Sequence, residues 1–204
     1  MAQALPRPKH EELLAAAVRL FRERGYHATS MQDLAEAVGV QRGSLYHYIE
    51  AKEDLLWEIM ERAMETLREG VEGVSRTRLP ASTRVRDAIS AHLTAAAQMR
   101  DELTILHVEL KSLSPRRRQA MVTMRDGYER IFRTLVREGI AAGEFRDVDQ
   151  KAAVFAILGA CNWFTQWFNP GGPAGHAGFA ATFSSVFLDG LRREGRTGTP
   201  GVHR

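Results

Sequence analysis

Apolar residues recur every three or four positions along almost the whole of this chain, and no run alternates apolar and polar over strand length. That period predicts an all-α fold of about nine helices. Leu13, Leu14, Ala17, Val18 and Phe21 mark a first stripe that stops at Gly25, and Met31, Leu34, Ala35 and Val38 mark a short second one that stops at Gly39. Leu45 and Ile49 anchor a third short helix. The fourth stripe, Leu55 through Leu67, begins near Ala51 and fades at Gly70, and a loop follows through Gly73 and Pro80. Val85, Ile89, Leu93, Ala96 and Ala97 give a fifth helix, and Leu103, Leu106, Leu110 and Leu113 a sixth that Ser114 and Pro115 interrupt. Pro115 suits the first turn of the seventh, whose stripe runs from Met121 to Val136 and meets the breakers Gly139 and Gly143. Asp149 caps an eighth helix over about 150–168, so poor in charge after Lys151 that burial on nearly every side is expected. NPGGPAGHAG separates it from a ninth helix carrying Phe179, Phe183, Val186, Phe187 and Leu191.

The densest signal lies in TSMQDLAEAVGVQRGSLYHYIEAK, from Thr29 to Lys52. Thr29 with Gln32 and Ser30 with Asp33 both have capping-box spacing, so a helix should begin at Met31 with its first amides satisfied or free to face a phosphate. Gly39 can take the positive φ that ends this helix, and the connection to Gln41 is too short for anything but a sharp turn. With Leu45 and Ile49 turned under, Gln41, Arg42, Gly43, Ser44, Tyr46 and His47 point outward. Hydrogen-bond donors around one glycine that permits close approach are what a reader of the DNA major groove needs.

Composition narrows the reading further. The 204 residues are 44% hydrophobic, enough to bury a core, and no apolar stretch is long enough to span a bilayer, so a cytoplasmic protein is expected. Cys161 is the one cysteine, which excludes an internal disulfide and a cysteine-based zinc site. Its apolar setting, LGACNW, favours a buried inert thiol. The formal charge is only +3, and through Lys52 seven basic residues face six acidic ones. Affinity for an anionic partner must therefore come from where the charges sit. The seven histidines form no HExxH pair, and no nucleophile elbow, P-loop or dinucleotide fingerprint is present. No catalytic residue, metal site or cofactor is expected.

With this helix order and this N-terminal motif the chain resembles the TetR (tetracycline repressor) family of bacterial transcription regulators. The resemblance rests on Thr29-Ser30, on DLAEAVGV and above all on GSLYHYIEAKEDLL. Ile49 stands where the family usually has phenylalanine, and Ala51 where it usually has a capping serine. The resemblance implies that Tyr46 and Lys52 contact phosphates, that Thr29 and Ser30 form an N-terminal phosphate clamp, and that Gln41, Arg42 and Gly43 face the groove. It also implies a DNA-binding domain over residues 1–52 and a ligand-binding and dimerisation domain over 53–193. Residues 194–204, which hold no core positions, are expected to be a disordered tail.

Small Gly159 and Ala160 allow another helix to approach closely, and the last two helices carry more aromatic surface than one subunit can easily cover. The resemblance implies a homodimer through these two helices, anchored by Phe164, Trp167, Phe183 and Phe187; the alternative, that the rings fill the subunit's own core, stays open. An effector pocket among the middle helices would draw on Met60, Met64, Leu106, His107, Leu110, Met124, Tyr128, Phe155, Asn162 and Trp163. Methionines and rings around a few polar groups suit a long or ring-bearing apolar ligand. ILGACNWFTQWFNPGGP and RDGYERIFRTLVREGIAAGEF are similar to TetR-type regulators of lipid, steroid and aromatic-acid breakdown that sense acyl-CoA thioesters. For such a ligand some of Arg100, Arg116, Arg117, Arg118, Arg125 and Arg133 would hold phosphates, unless they form a plain solvated face. The expectation is thus a homodimeric repressor, released from palindromic operator DNA by an apolar small molecule such as an acyl-CoA. The alternatives are a repressor sensing another apolar ligand (a drug, a fatty acid, an aromatic) and a helical DNA binder without sequence preference.

Overall fold

The computed structural model describes residues 7–46, 49–173 and 175–192. Among them run nine α-helices: α1 (Arg7–Arg24), α2 (Met31–Ala37), α3 (Arg42–Leu45), α4 (Lys52–Ser75), α5 (Ala81–Gln98), α6 (Arg100–Glu109), α7 (Pro115–Ala141), α8 (Gln150–Trp167) and α9 (His176–Leu191). A single 3-10 turn, Leu110–Ser112, follows α6. The expected tail over residues 194–204 lies outside the described residues.

One apolar core runs through the molecule, from Leu13, Leu34 and Leu45 at the N-terminal end, through Leu55, Met60 and Leu93, to Phe132 and Phe164. α5 sits at its centre, packed by α4, α7, α8 and α9. Glu144 fixes the start of α5 from outside: its carboxylate accepts from the amides of Ala81 (2.8 Å) and Ser82 (2.9 Å), donors that the helix cannot satisfy itself. No side chain within α5 could have announced this cap.

Two glycines expected to break helices do not. α4 continues through Gly70 and Gly73 to Ser75, and a Cβ placed on Gly70 would meet Ala91 of α5 at an ordinary contact distance of 3.6 Å. Gly139 lies inside α7, where the Phe145 ring covers it so closely that a Cβ would fall 2.2 Å from the ring. Gly143, at φ +74, is the residue that turns the chain out of α7. The expectation for α8 also needs correcting. Val154, Ile157, Cys161 and Phe164 face the core, but Phe155 is 52% and Trp163 66% exposed, and Gly159 lies open between them. Low charge on this helix marks a second apolar face left uncovered in one subunit, which charge alone cannot tell from burial.

Candidate nucleic-acid interface and effector cavity

At the N-terminal end, Ser30 alone caps α2. Its Oγ accepts from the Asp33 amide (3.1 Å) while the Asp33 carboxylate accepts from the Ser30 amide (2.7 Å). The Ser30 contacts hold the Asp33 carboxyl below its usual range. The Thr29–Gln32 box does not form. Thr29 is buried, its hydroxyl donating to the Gly25 carbonyl (2.9 Å), and Gln32 turns to Glu36 (2.8 Å). Of the two residues expected to form a phosphate clamp, Thr29 has its hydroxyl satisfied inside the fold and Ser30 is exposed.

α2 ends in a Schellman motif. Gly39 takes φ +66, its amide donates to Glu36 O, and the Val40 amide donates to Ala35 O. Lys9 reaches across from α1 to the Val38 carbonyl (2.9 Å), so the corner is held from both sides. Gln41 then opens α3, with Leu45 and Ile49 buried beneath it. Gln41, Arg42, Gly43 and Tyr46 are exposed and Ser44 half-buried. Arg42 donates to the Tyr46 hydroxyl (3.1 Å), one helical turn on, which pre-orients both for a surface outside the protein. His47 lies outside the described residues.

The cations divide sharply. Arg24 pairs with Asp33 (3.1 Å), Arg22 with Asp101 (3.0 Å) and Lys9 with Glu12 (3.0 Å), which leaves Arg42 and Lys52 without a carboxylate partner among the described residues. Lys52 is nonetheless not free. Its ammonium donates to the carbonyls of Tyr26 and Thr29 and lies 4.3 Å from the Tyr26 ring centre, and burial lowers its pKa. Lys52, expected to contact a phosphate, thus spends two of its three donors holding the α1–α2 loop. Ala51 offers no cap to α4, but the Asp54 carboxylate accepts from its amide (2.8 Å) and so supplies half of a capping box.

Farther along, a cavity of about 420 Å³ opens between α4, α6, α7 and α8. Six residues expected there line it: Met64, Leu106, His107, Tyr128, Phe155 and Asn162. Met60 is instead buried in the core, while Leu110 and Met124 pack against the core and do not line the cavity. At helical spacing a core methionine and a pocket methionine look alike. Trp163 lines a smaller hollow of about 280 Å³ that shares His107, Gly159 and Asn162 with the main cavity. Sequence reasoning missed Leu67, Val122, Asp126, Glu129 and Leu158 as lining, and had placed Gly159 at the dimer face alone. Val122, Asp126 and Glu129 recur at three and four residues along α7 with Arg125, a spacing that carried the signal.

Burial keeps three groups in or behind the cavity wall neutral: His92, His107 and Cys161. His92, fully buried on α5, meets the Tyr128 hydroxyl through Nδ1 at 2.8 Å, and burial pushes its pKa down to about 3. Burial, with Arg125 nearby, lowers His107 to about 4. Cys161 is buried and pushed up to about 12, an inert thiol. Of the arginines considered for phosphates, Arg117 pairs with Asp54 (2.6 Å), Arg133 with Glu129, and Arg100 donates to the Thr165 carbonyl (2.9 Å). Arg125 remains at the cavity, with exposed Arg118 two turns away on the same helix.

The aromatic residues of α8 and α9 separate into core and surface. Phe164 is fully buried, stacked on Phe168 with centroids 4.4 Å apart, so it anchors the subunit itself and not a partner. Trp167 is 44% exposed, Phe183, Phe187 and Ala160 are half-buried, and Val186 is 64% exposed. Together with Phe155, Gly159 and Trp163 they leave an apolar face across both helices.

Comparison with known proteins agrees with this layout. Residues 13–59 match the family of bacterial regulatory proteins, tetR family, and residues 78–191 match the tetracyclin repressor-like C-terminal domain. The transcriptional repressor KstR2 of Mycolicibacterium smegmatis is 27% identical over 191 residues, which cover 91% of this chain and 92% of that one. The crystal structure of the TetR family regulator PfmR from Thermus thermophilus superimposes with a TM-score of 0.83 at 34% identity, over 89% of this chain and 99% of that one. AibR, solved in complex with isovaleryl coenzyme A and operator DNA, superimposes with a TM-score of 0.78 at 25% identity, over 90% of this chain and 98% of that one.

Proposed function

This chain belongs to the TetR family of bacterial transcription regulators, and from that premise we propose that it acts in the cytoplasm as a homodimeric repressor, released from a palindromic operator when an acyl-CoA enters its cavity. It is a DNA-binding regulator and not an enzyme. The observation that carries the proposal is that α4 and α6 each touch both sites. The N-terminus of α4 clamps the α1–α2 loop through Lys52, and Met64 and Leu67 of the same helix line the cavity. From Lys52 to Met64 is about 18 Å of continuous helix, so a tilt at one end must move the other. Glu109 of α6 accepts from the Tyr26 amide (3.3 Å) and Asp101 pairs with Arg22, while Leu106 and His107 line the cavity from the helix between them.

The apolar face of α8 and α9 supports the dimer. A second copy laid on it would set two α3 helices against successive major-groove faces, about 34–36 Å apart on an inverted repeat. Ligand entry at Phe155 and Gly159, which belong to both the cavity and that face, would alter the separation. A coupling of about 1–3 kcal/mol, 5- to 150-fold in affinity, is the ordinary size of such an effect. The acyl-CoA reading is supported by an apolar cavity with Arg125 on its wall and by AibR, whose solved complex holds both isovaleryl coenzyme A and operator DNA. Footprinting on genomic fragments, repeated with a panel of short-chain, long-chain and aromatic acyl-CoAs, tests the proposal. A protected palindrome that one class of thioester abolishes is the expected result; protection that survives every thioester rejects the effector, and no protected palindrome rejects the repressor.

A further inference from the structure

The helix-turn-helix carries little free positive charge for a domain that binds DNA. Lys9, Arg19, Arg22 and Arg24 each lie against a carboxylate and Lys52 is turned onto two carbonyls, which leaves Arg42 as the cation free of both among its described residues. Neutralising phosphates is nevertheless a large share of what holds a protein on duplex DNA. Free cations do lie close by, on the segment that joins α6 to α7. Lys111, Arg116 and Arg118 are exposed and have no carboxylate partner among the described residues. That segment is fastened to the two stretches of chain that lead into α2 and α4. The Ser114 amide donates to Glu53 (2.8 Å) and Arg117 to Asp54 (2.6 Å), the second and third residues of α4, while Ser112 Oγ meets His27 Nε2 at 3.0 Å and Glu109 accepts from the Tyr26 amide (3.3 Å). Accepting that the chain binds DNA through its helix-turn-helix, we infer that Lys111, Arg116 and Arg118 form a second phosphate-binding edge, through which the ligand-binding domain itself grips the DNA backbone beside the reader.

Stability does not explain these cations. The start of a helix is the end at which the macrodipole opposes positive side chains, and the first turn of α7 holds three arginines and no acidic residue. Arg117 is answered by Asp54 and Glu53, whereas Arg116 and Arg118, each about 100° from it around the helix, flank the tethered side and are left to solvent. The carboxylates nearby are occupied by donors of the protein itself. Asp54 takes the Ala51 amide as well as Arg117, Glu53 takes the Ser114 amide, and Glu109 takes the Tyr26 amide and the Ser112 hydroxyl. Exposed Glu50 alone stands against three free cations in this region. None of the three lines the effector cavity, so a ligand held there does not account for them. A guanidinium fork matches phosphate oxygens, and contacts to the backbone carry no base information. The edge therefore adds affinity without changing which sequence is preferred.

The test compares two triple variants of the full-length protein. Lys111→Gln with Arg116→Gln and Arg118→Gln empties the edge; Arg78→Gln with Arg130→Gln and Arg137→Gln removes the same charge from exposed positions farther from the reader. Anisotropy titrations across a salt series use the duplex protected in footprinting and a random-sequence duplex of equal length. Emptying the edge should weaken binding to both duplexes and lower the slope of log affinity against log salt by about two to five in a dimer, since each lost phosphate contact removes about 0.9. The ratio between the two duplexes should hold, and the distant triple should change the slope by less than about one. Unfolding temperature and helicity check both proteins, and Arg116→Gln alone, with about a third of the effect, serves if the triple folds poorly. Equal losses from the two triples would mean net charge alone, and overturn the edge. So would an unchanged slope, including the case in which operator binding is intact but release by an acyl-CoA is weakened, which assigns the arginines to a ligand's phosphates. A parent protein that binds neither duplex removes the DNA-binding premise itself.

Discussion

The ammonium of Lys52, the first residue of α4, sits between the carbonyls of Tyr26 and Thr29 and closes the loop that leads into α2. A basic residue in this position reads in sequence as a phosphate contact, and here two of its donors are taken up within the fold. Lys52→Ala should therefore lower stability by about 1–3 kcal/mol, since carbonyls are left unpaired. Calorimetric unfolding should detect this, while the slope of log affinity against log salt stays unchanged. A slope reduced by about one would mean that a phosphate contact was lost instead.

Arg42 is different, being exposed, free of carboxylates and steadied by Tyr46. Arg42→Ala should cost about 1–3 kcal/mol on the operator and flatten preference at one base pair, because a guanidinium makes two bonds to a guanine edge. Anisotropy titrations on operators changed one base pair at a time measure this. Equal loss on every sequence would reassign Arg42 to the phosphate backbone.

Gly139 and Phe145 make a sharper packing test. Gly139→Ala would drive a methyl group into the Phe145 ring, and should destabilise by about 1–3 kcal/mol as overpacking does. Adding Phe145→Leu should recover part of that loss, since only the ring creates the clash. Urea unfolding of the single and double variants decides it.

Two buried histidines predict a pH dependence. Their folded pKa values, about 3 for His92 and about 4 for His107, lie below the ordinary value of 6.5, so the unfolded chain binds more protons wherever the pH falls below 6.5. Stability is then at full strength above pH 6.5 and declines as pH drops toward 4, by up to about 1.4 kcal/mol per unit for each histidine. Tm measured from pH 7.5 to about 4.5 should bend downward below 6.5, and His107→Asn should make the bend shallower. A Tm that is flat across that range removes the assignment of neutral imidazoles.

The exposed face of α8 predicts the assembly. Phe155→Arg or Val186→Arg places a charge where a partner would bury it, and should convert dimer to monomer in sedimentation at micromolar concentration with helicity retained. A dimer that survives both substitutions must form elsewhere.

Helix periods, glycine stops and the Ser30–Asp33 box are local, and for that reason the helix order, the starts of α2 and α7 and the turn at Gly39 could be read directly from residue spacing. The apolar cavity could be half read. Met64, Leu106 and Tyr128 were legible as apolar or aromatic positions on the right helices, but nothing in a stripe says which member faces a void and which is packed, as Met60 and Met124 demonstrate. Phe164 was legible as a buried anchor but not as belonging to its own subunit.

What residue order alone determined was everything set within a turn or two of helix: the elements, the sharp corner of the DNA reader and the side chains that corner turns outward. The tertiary structure decided whatever depends on residues distant in sequence. It placed Lys52 on carbonyls 23 and 26 residues away, assigned Glu144 to the start of α5, opened the cavity between four helices and left one face of α8 bare. A hydrogen bond or a void is a property of two surfaces at once, and periodicity describes only one of them.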